Sequence, residues 1–223
     1  MKILGVTESA ARLLRQEIIM GKISPGAKLN EIDLSNRYGI SRPPLREAFR
    51  KLEYENLVEN VPRKGTYVTG ISKEDCEQVY FARRMLESAA IDAIAQKQDS
   101  NITAIYKFMD GGLPAAASHE DVPAILTHYY ELAGFHRKLV EVSANRWLVH
   151  CYKSIAATLA RYQIIYVAIP GTRQPSVKCH REILRLMEDH KYPEAKVCLD
   201  AHILETYHLL INNMPSSSPL AEA

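Results

Sequence analysis

The sequence predicts a mainly α-helical protein, an N-terminal winged helix-turn-helix followed by a C-terminal all-α helical bundle. Three observations predict it. A proline-started amphipathic stretch with one cationic side begins at Ser41, behind a short helical segment and a glycine turn. Two β-rich runs follow it, around Pro62-Arg63-Lys64-Gly65. From Glu74 onward apolar residues recur at helical spacing with no convincing strand.

Each element has its own signal. A first helix covers about Thr7–Met20, with Ala11, Leu14 and Ile18 inward, and Ser24-Pro25-Gly26 turns the chain. Residues 30–38 make a short second helix with Leu34 inward, and Gly39 permits the tight turn of a helix-turn-helix. Ser41 reads as the N-cap of the third helix, its hydroxyl accepting from a first-turn amide. Pro43 and Pro44 sit in that first turn, where a missing N–H costs little. Leu45, Ala48, Phe49 and Leu52 recur at i, i+3, i+4 and i+7 as one apolar face. Arg42, Arg46 and Arg50 recur every four residues as a cationic ridge beside it. A solvated arginine face is the bland alternative. The turn upstream and the hairpin of Leu57–Val61 with Thr66–Thr69 downstream favour a recognition helix with a basic-tipped wing.

The body reads as six helices. They cover about 74–97, with Val79, Ala82, Leu86, Ala89 and Ala90 inward, then 101–109, 121–142, 145–168, 174–190 and 192–213. Gly111-Gly112-Leu113-Pro114 reads as a flexible loop, and Pro170-Gly171 breaks the chain before the fifth. The expected domains are 1–72, a DNA-binding head, and 73–213, a helical body. Residues 214–223 are expected to be disordered.

Composition narrows the function class. The net charge is +2, but residues 1–72 carry 12 Lys and Arg against 8 Asp and Glu, and the remainder 16 against 18. A basic head on a slightly acidic body suits nucleic acid. No apolar run reaches membrane-spanning length, and the first residues are too short an apolar stretch for a secretory signal, so a cytoplasmic location is expected. Cys76, Cys151, Cys179 and Cys198 are far apart with no C-x-x-C, which reads as buried free thiols rather than a zinc-cysteine site.

The head resembles the GntR family of bacterial transcription regulators. The resemblance is carried by Gly21-Lys22-Ile23-Ser24-Pro25-Gly26-Ala27-Lys28-Leu29, Leu34-Ser35, Gly39 to Ala48, Leu52 and Arg63-Lys64-Gly65-Thr66-Tyr67-Val68. The body resembles the FCD ligand-binding domain of the FadR subfamily, through Arg83-Arg84-Met85-Leu86-Glu87, Phe135-His136-Arg137-Lys138-Leu139, Ser143-Ala144-Asn145, His180-Arg181-Glu182-Ile183-Leu184 and His202. A six-helix count matches the VanR-like branch.

The resemblance implies a homodimeric regulator, a repressor, that grips a near-palindromic double-stranded DNA operator and answers to a small organic-acid effector. Arg42 is expected to read a guanine edge, and Arg46 a base or a phosphate. Ser41, Pro43, Lys64, Gly65 and Thr66 are expected along the phosphate backbone. Ile32 stands where many such heads carry a DNA-reaching arginine. His136, His180 and His202 fall at the family's metal ligands, for zinc, nickel or manganese. The family's aspartate ligand is replaced by Leu132, and Glu131 lies on another side of the helix. The alternative is three hydrogen-bonded histidines around a metal-free polar pocket. Arg83 is expected to hold the effector carboxylate, or else to pair with Glu87 at i+4. The other five histidines are expected to be surface or ordinary core residues. No enzyme is expected. A three-histidine metalloenzyme and a constitutive DNA-binding protein are the rival readings.

Overall fold

The computed structural model describes residues 5–97, 102–110 and 124–214. The side chains of 124–128, 130 and 131 fall outside that description, as do the glycine-proline loop, His119, the first residues of the helix expected from 121, the Glu131 side chain and the tail beyond Met214. The described chain divides into two compact units. One holds the residues up to Ser72 with Ser154–Arg161, the other Lys73–Lys153 and Tyr162–Met214.

In the first unit, helices α1 (Val6–Ile19), α2 (Glu31–Tyr38) and α3 (Arg42–Tyr54) precede strands β1 (Val58–Val61) and β2 (Gly65–Val68). Asn30 caps α2, its side chain accepting from Ile32 N at 2.9 Å and Asp33 N at 3.4 Å. Gly39 ends α2 at φ 64°, a left-handed turn that a Cβ would strain. The helix-turn-helix therefore forms where a cap and a glycine bracket one apolar position, Leu34. Ala11, Leu14 and Ile18 of α1 meet Leu45, Ala48, Phe49 and Leu52 of α3 in one core with Leu57 and Val68. Each large side chain buried there contributes roughly 1.5–3 kcal/mol. The strands pair antiparallel in the register Val58↔Val68 to Val61↔Gly65. Gly65 has φ 113°, and an added Cβ would press on the Lys28 side chain at 3.2 Å.

Six further helices follow among the described residues: α4 (Lys73–Ala95), α5 (Thr103–Asp110), α6 (Ala124–Val142), α7 (Arg146–Val167), α8 (Arg173–Glu188) and α9 (Tyr192–Asn213), all in the second unit except the Ser154–Arg161 stretch of α7. Asn145 caps α7 with bonds from Trp147 N and Leu148 N. α4 packs on α6 and α9, and α8 packs on the same two, so these four close a ring, with α5 against α6. Among the described residues no helix is long and apolar enough to cross a membrane.

Two expectations need correction here. The inward face of α4 is not the expected stripe: Cys76, Tyr80, Arg83, Glu87, Ile91 and Ile94 are buried alongside Val79 and Ala90. Ala82, Leu86 and Ala89 are only partly covered. The helix is turned because Arg83 and Glu87 neutralise each other inside the ring. The cysteines also differ. Only Cys76 is buried, Cys151 is exposed, and Cys179 and Cys198 are half-buried and neighbours across α8 and α9.

Candidate metal centre and nucleic-acid interface

The N-terminus of α3 presents Ser41, Arg42 and Pro43 to solvent, with Arg46 exposed one turn on. Ser41 has the extended N-cap conformation but makes no cap hydrogen bond. The cause is local chemistry. A cap oxygen accepts from the second or third helical residue, and these are Pro43 and Pro44, which have no N–H. The Ser41 hydroxyl is therefore not spent inside the helix. The expected arginine ridge is divided. Arg46 Nε donates to both Glu31 carboxylate oxygens at 2.9 Å, and Arg50 pairs with Glu47 at 2.6 Å. Arg42 has no ion pair among the described residues, nor do Arg63 and Lys64 at the exposed tip of the wing. Gly65 and Thr66 open β2 directly behind them and are half-buried. Ile32 is 51% exposed on α2, so that surface offers no cation.

In the second unit, α6, α8 and α9 bring His136, His180 and His202 together, all buried, with ligand atoms within 4.8 Å of one another. His180 Nε2 lies 3.1 Å from His136 Nε2 and 3.0 Å from His202 Nε2. Phe135 stacks on the His180 ring at 4.0 Å and holds its plane. The His180 ring stands nearly perpendicular to the other two, which are parallel to within 4°.

α4 supplies the next layer. His136 Nδ1 donates to Glu87 Oε2 at 2.6 Å, the tautomer that leaves its Nε2 lone pair facing the other histidines. Arg83 Nε donates to Glu87 Oε1 at 2.8 Å, and the Tyr152 hydroxyl donates to the same oxygen at 3.3 Å. Arg83 is 1% exposed, and its Nη1 has no hydrogen-bond partner among the described residues. Arg83 thus pairs with Glu87, the alternative expected from the i+4 spacing, and it lines the cavity beside the histidines. That cavity is about 20 Å³ and is walled by Leu132, Tyr166 and Ser176 among others, with Tyr166 Oη and Ser176 Oγ joined at 2.8 Å.

Burial, followed by the Arg83 charge, holds His136 well below the ordinary 6.5. His180 is likewise held well below by burial and its two histidine neighbours. His202 is lowered to about 4, mainly by burial. Burial pushes the Glu87 carboxyl up, with Arg83 pulling it back. Burial works most strongly against the Arg83 charge, but Glu87 together with Tyr80 and Tyr152 offsets it and holds the guanidinium above its ordinary value. Neutral imidazoles with free lone pairs are the protonation state that metal ligation needs.

The donor set fits a divalent transition ion. Ligand atoms about 2.0–2.1 Å from one ion are separated by roughly 3.0–3.4 Å, the spacing of the two contacts to His180. With three neutral rings and the His136 proton on Nδ1, one hydrogen at most can serve both contacts of His180 Nε2. A cation relieves that crowding of lone pairs. Leu132 is buried against the cavity and offers no ligand. The i+4 spacing pointed to the Arg83–Glu87 ion pair that the structure contains, but nothing in the sequence linked Glu87 to His136. His150, His190 and His208 are exposed, as expected.

Residues 6–68 match the family described as bacterial regulatory proteins, gntR family. Residues 78–205 match the FCD domain. The chain is 26% identical over 208 residues to the HTH-type transcriptional repressor RspR of Escherichia coli, covering 90% of this chain and 86% of that protein. It is 26% identical over 190 residues to the HTH-type transcriptional regulator YdhC of Bacillus subtilis, covering 85% and 84%. Among solved structures, Escherichia coli McbR/YncC superposes with a TM-score of 0.74 at 17% identity, over 94% of this chain and 99% of that one. Lar of Listeria monocytogenes, which controls expression of the agr system, superposes with a TM-score of 0.66 at 19% identity, over 96% and 100%. These two likenesses establish the fold.

Proposed function

Since the chain belongs to the bacterial gntR family of transcription regulators and carries an FCD domain, we propose that it is a cytoplasmic homodimeric repressor controlled at its three-histidine site. Its families and relatives are regulators rather than enzymes, and RspR, similar over most of its length, is a repressor.

The head binds operator DNA. Arg42 reads a guanine O6/N7 edge in the major groove, worth about 1–3 kcal/mol of discrimination. Arg46 reaches a base or phosphate once it leaves Glu31. Ser41 and Thr66 donate to phosphates, Pro43 and Gly65 let the backbone approach, and Lys64 adds charge at the wing. Two copies place two α3 helices on the half-sites of a near-palindrome.

The observation that carries the control site is the convergence of three neutral ring nitrogens with one hydrogen for two contacts. His136, His180 and His202 would hold zinc, nickel or manganese, which supplies an electrophilic position for an anion. A small carboxylate is the effector class that fits, with one oxygen toward Arg83 Nη1. At about 20 Å³ the cavity admits a single water-sized group. A whole organic acid therefore enters only by spreading the helix ring, and the effector then distinguishes two states of the domain, which is the requirement for control.

The test is metal content per chain on protein purified without a metal-affinity tag, alongside His136→Ala, followed by operator shift assays with zinc and a panel of small carboxylates. Near-stoichiometric metal, lost in the variant, and release of operator by a carboxylate are expected. No uptake of zinc, nickel or manganese by the wild-type chain would remove the metal. Operator affinity unmoved by every carboxylate would favour constitutive binding.

A further inference from the structure

Cys179 on α8 and Cys198 on α9 are 19 positions apart in sequence, yet their Sγ atoms lie 3.7 Å from one another. Both are half-buried, so a small oxidant can reach them, and both are free thiols. They belong to a helical hairpin whose link is only residues 189–191, and α8 and α9 are extensively packed together. The packing that aligns His180 with His202 also aligns these sulfurs. Cys179 is the neighbour of His180, and Cys198 precedes His202 by one helical turn.

We propose that Cys179 and Cys198 are a site of reversible disulfide formation that staples α8 to α9. A disulfide needs sulfurs about 2.05 Å apart, so the pair must close by less than ~2 Å, within the reach of side-chain rotation. The oxidant is a peroxide. One sulfur attacks the O–O bond, forming a sulfenic acid and releasing water. The second sulfur then attacks that sulfenic sulfur, forming the S–S bond and releasing a second water. Two thiols lose two electrons and two protons, and one peroxide is reduced to two waters. A dithiol reverses the bridge by exchange.

The test treats the folded full-length chain with hydrogen peroxide and reads intact mass and a non-reducing tryptic map. Arg181, Arg185, Lys191 and Lys196 lie between the cysteines, so trypsin separates their peptides unless a bridge joins them. The expected product is a monomeric chain lighter by two hydrogen atoms, its Cys179 and Cys198 peptides linked, and restored by dithiothreitol. Cys151→Ser, which removes the exposed thiol, should behave identically. Cys198→Ser should show no linked peptide and should leave Cys179 alkylatable. In urea the linkage should lose its preference and scatter over the four cysteines. Both cysteines remaining alkylatable, stopping at oxygen adducts, or bridging only between chains would each overturn the proposal.

Discussion

His136 Nδ1 and Glu87 Oε2 are 2.6 Å apart, wholly inside the helix ring, and Arg83 holds the other oxygen of the same carboxylate. This row of three side chains from α4 and α6 orients the first histidine and fixes its tautomer. A partner of this kind is worth about 10–100-fold in metal affinity. Glu87→Gln is therefore expected to weaken zinc binding by that factor, measured by competition with a chromogenic chelator. It also leaves the Arg83 charge without compensation, and breaking a buried pair costs about 3–5 kcal/mol. Arg83→Met combined with Glu87→Gln removes both charges and separates the two effects. Zinc affinity within a factor of about two of wild type in the double variant would refute the orienting role.

Acid should destabilise the metal-free chain. His202 is lowered to about 4, and His136 and His180 lie well below 6.5, so the unfolded chain binds more protons than the folded one over that interval. Their contribution is intact above about 6.5 and is lost as pH falls toward 4, at up to ~1.4 kcal/mol per pH unit for each ring. Arg83, which faces all three, reinforces the loss. Glu87 works oppositely, because its raised carboxyl favours the folded state in acid, and that contribution fades as pH rises from 4.5 through its folded value. With three rings against one carboxyl, the melting midpoint in chelator should fall from pH 7 to pH 5, and His202→Gln should flatten the slope. A flat profile in wild type would contradict the burial of these rings.

Gly134 on α6 and Phe108 on α5 are coupled by a close approach. A Cβ at Gly134 would clash with the Phe108 ring, so the ring must move. Gly134→Ala gains about 1 kcal/mol of helix propensity but displaces the ring, at about 1–3 kcal/mol. It should destabilise wild type and stabilise a Phe108→Ala background. Thermal denaturation of the four-member cycle reads the coupling, and additivity would disprove the contact.

Arg42→Ala should cost about 1–3 kcal/mol on the specific operator and much less on unrelated duplex. Lys64→Ala should weaken both and reduce the salt slope by about one. Fluorescence anisotropy across salt concentrations distinguishes them. Equal losses on both duplexes for Arg42→Ala would deny it a base-reading role.

Ser41→Ala should leave stability nearly unchanged, although an N-cap serine is ordinarily worth about 1 kcal/mol. The residues that would donate to its hydroxyl are Pro43 and Pro44, and no cap bond forms. Its effect should instead appear in DNA affinity. A lowered melting midpoint with unchanged DNA binding would reverse this assignment.

Much of the protein was legible in the sequence, because local chemistry specifies it. Gly39 and the two prolines mark the turn of the helix-turn-helix, the wing follows from two short β-rich runs, and α9 spans residues 192–213, as expected. The histidines were found by likeness to a family, since nothing in their spacing implies that residues 136, 180 and 202 meet. Periodicity also found α4 as a helix and the buried Val79 and Ala90, but it missed Arg83 and Glu87, because a rule that sends charges outward cannot anticipate a buried pair. Arg83 and Glu87 turn inward because each neutralises the other and His136, 49 residues from Glu87, accepts the arrangement. The sequence by itself determined the elements, their ends and the basic head. The tertiary structure alone decided which charges are buried, which nitrogens and sulfurs touch, and how small the cavity is, because those depend on contacts between helices distant along the chain.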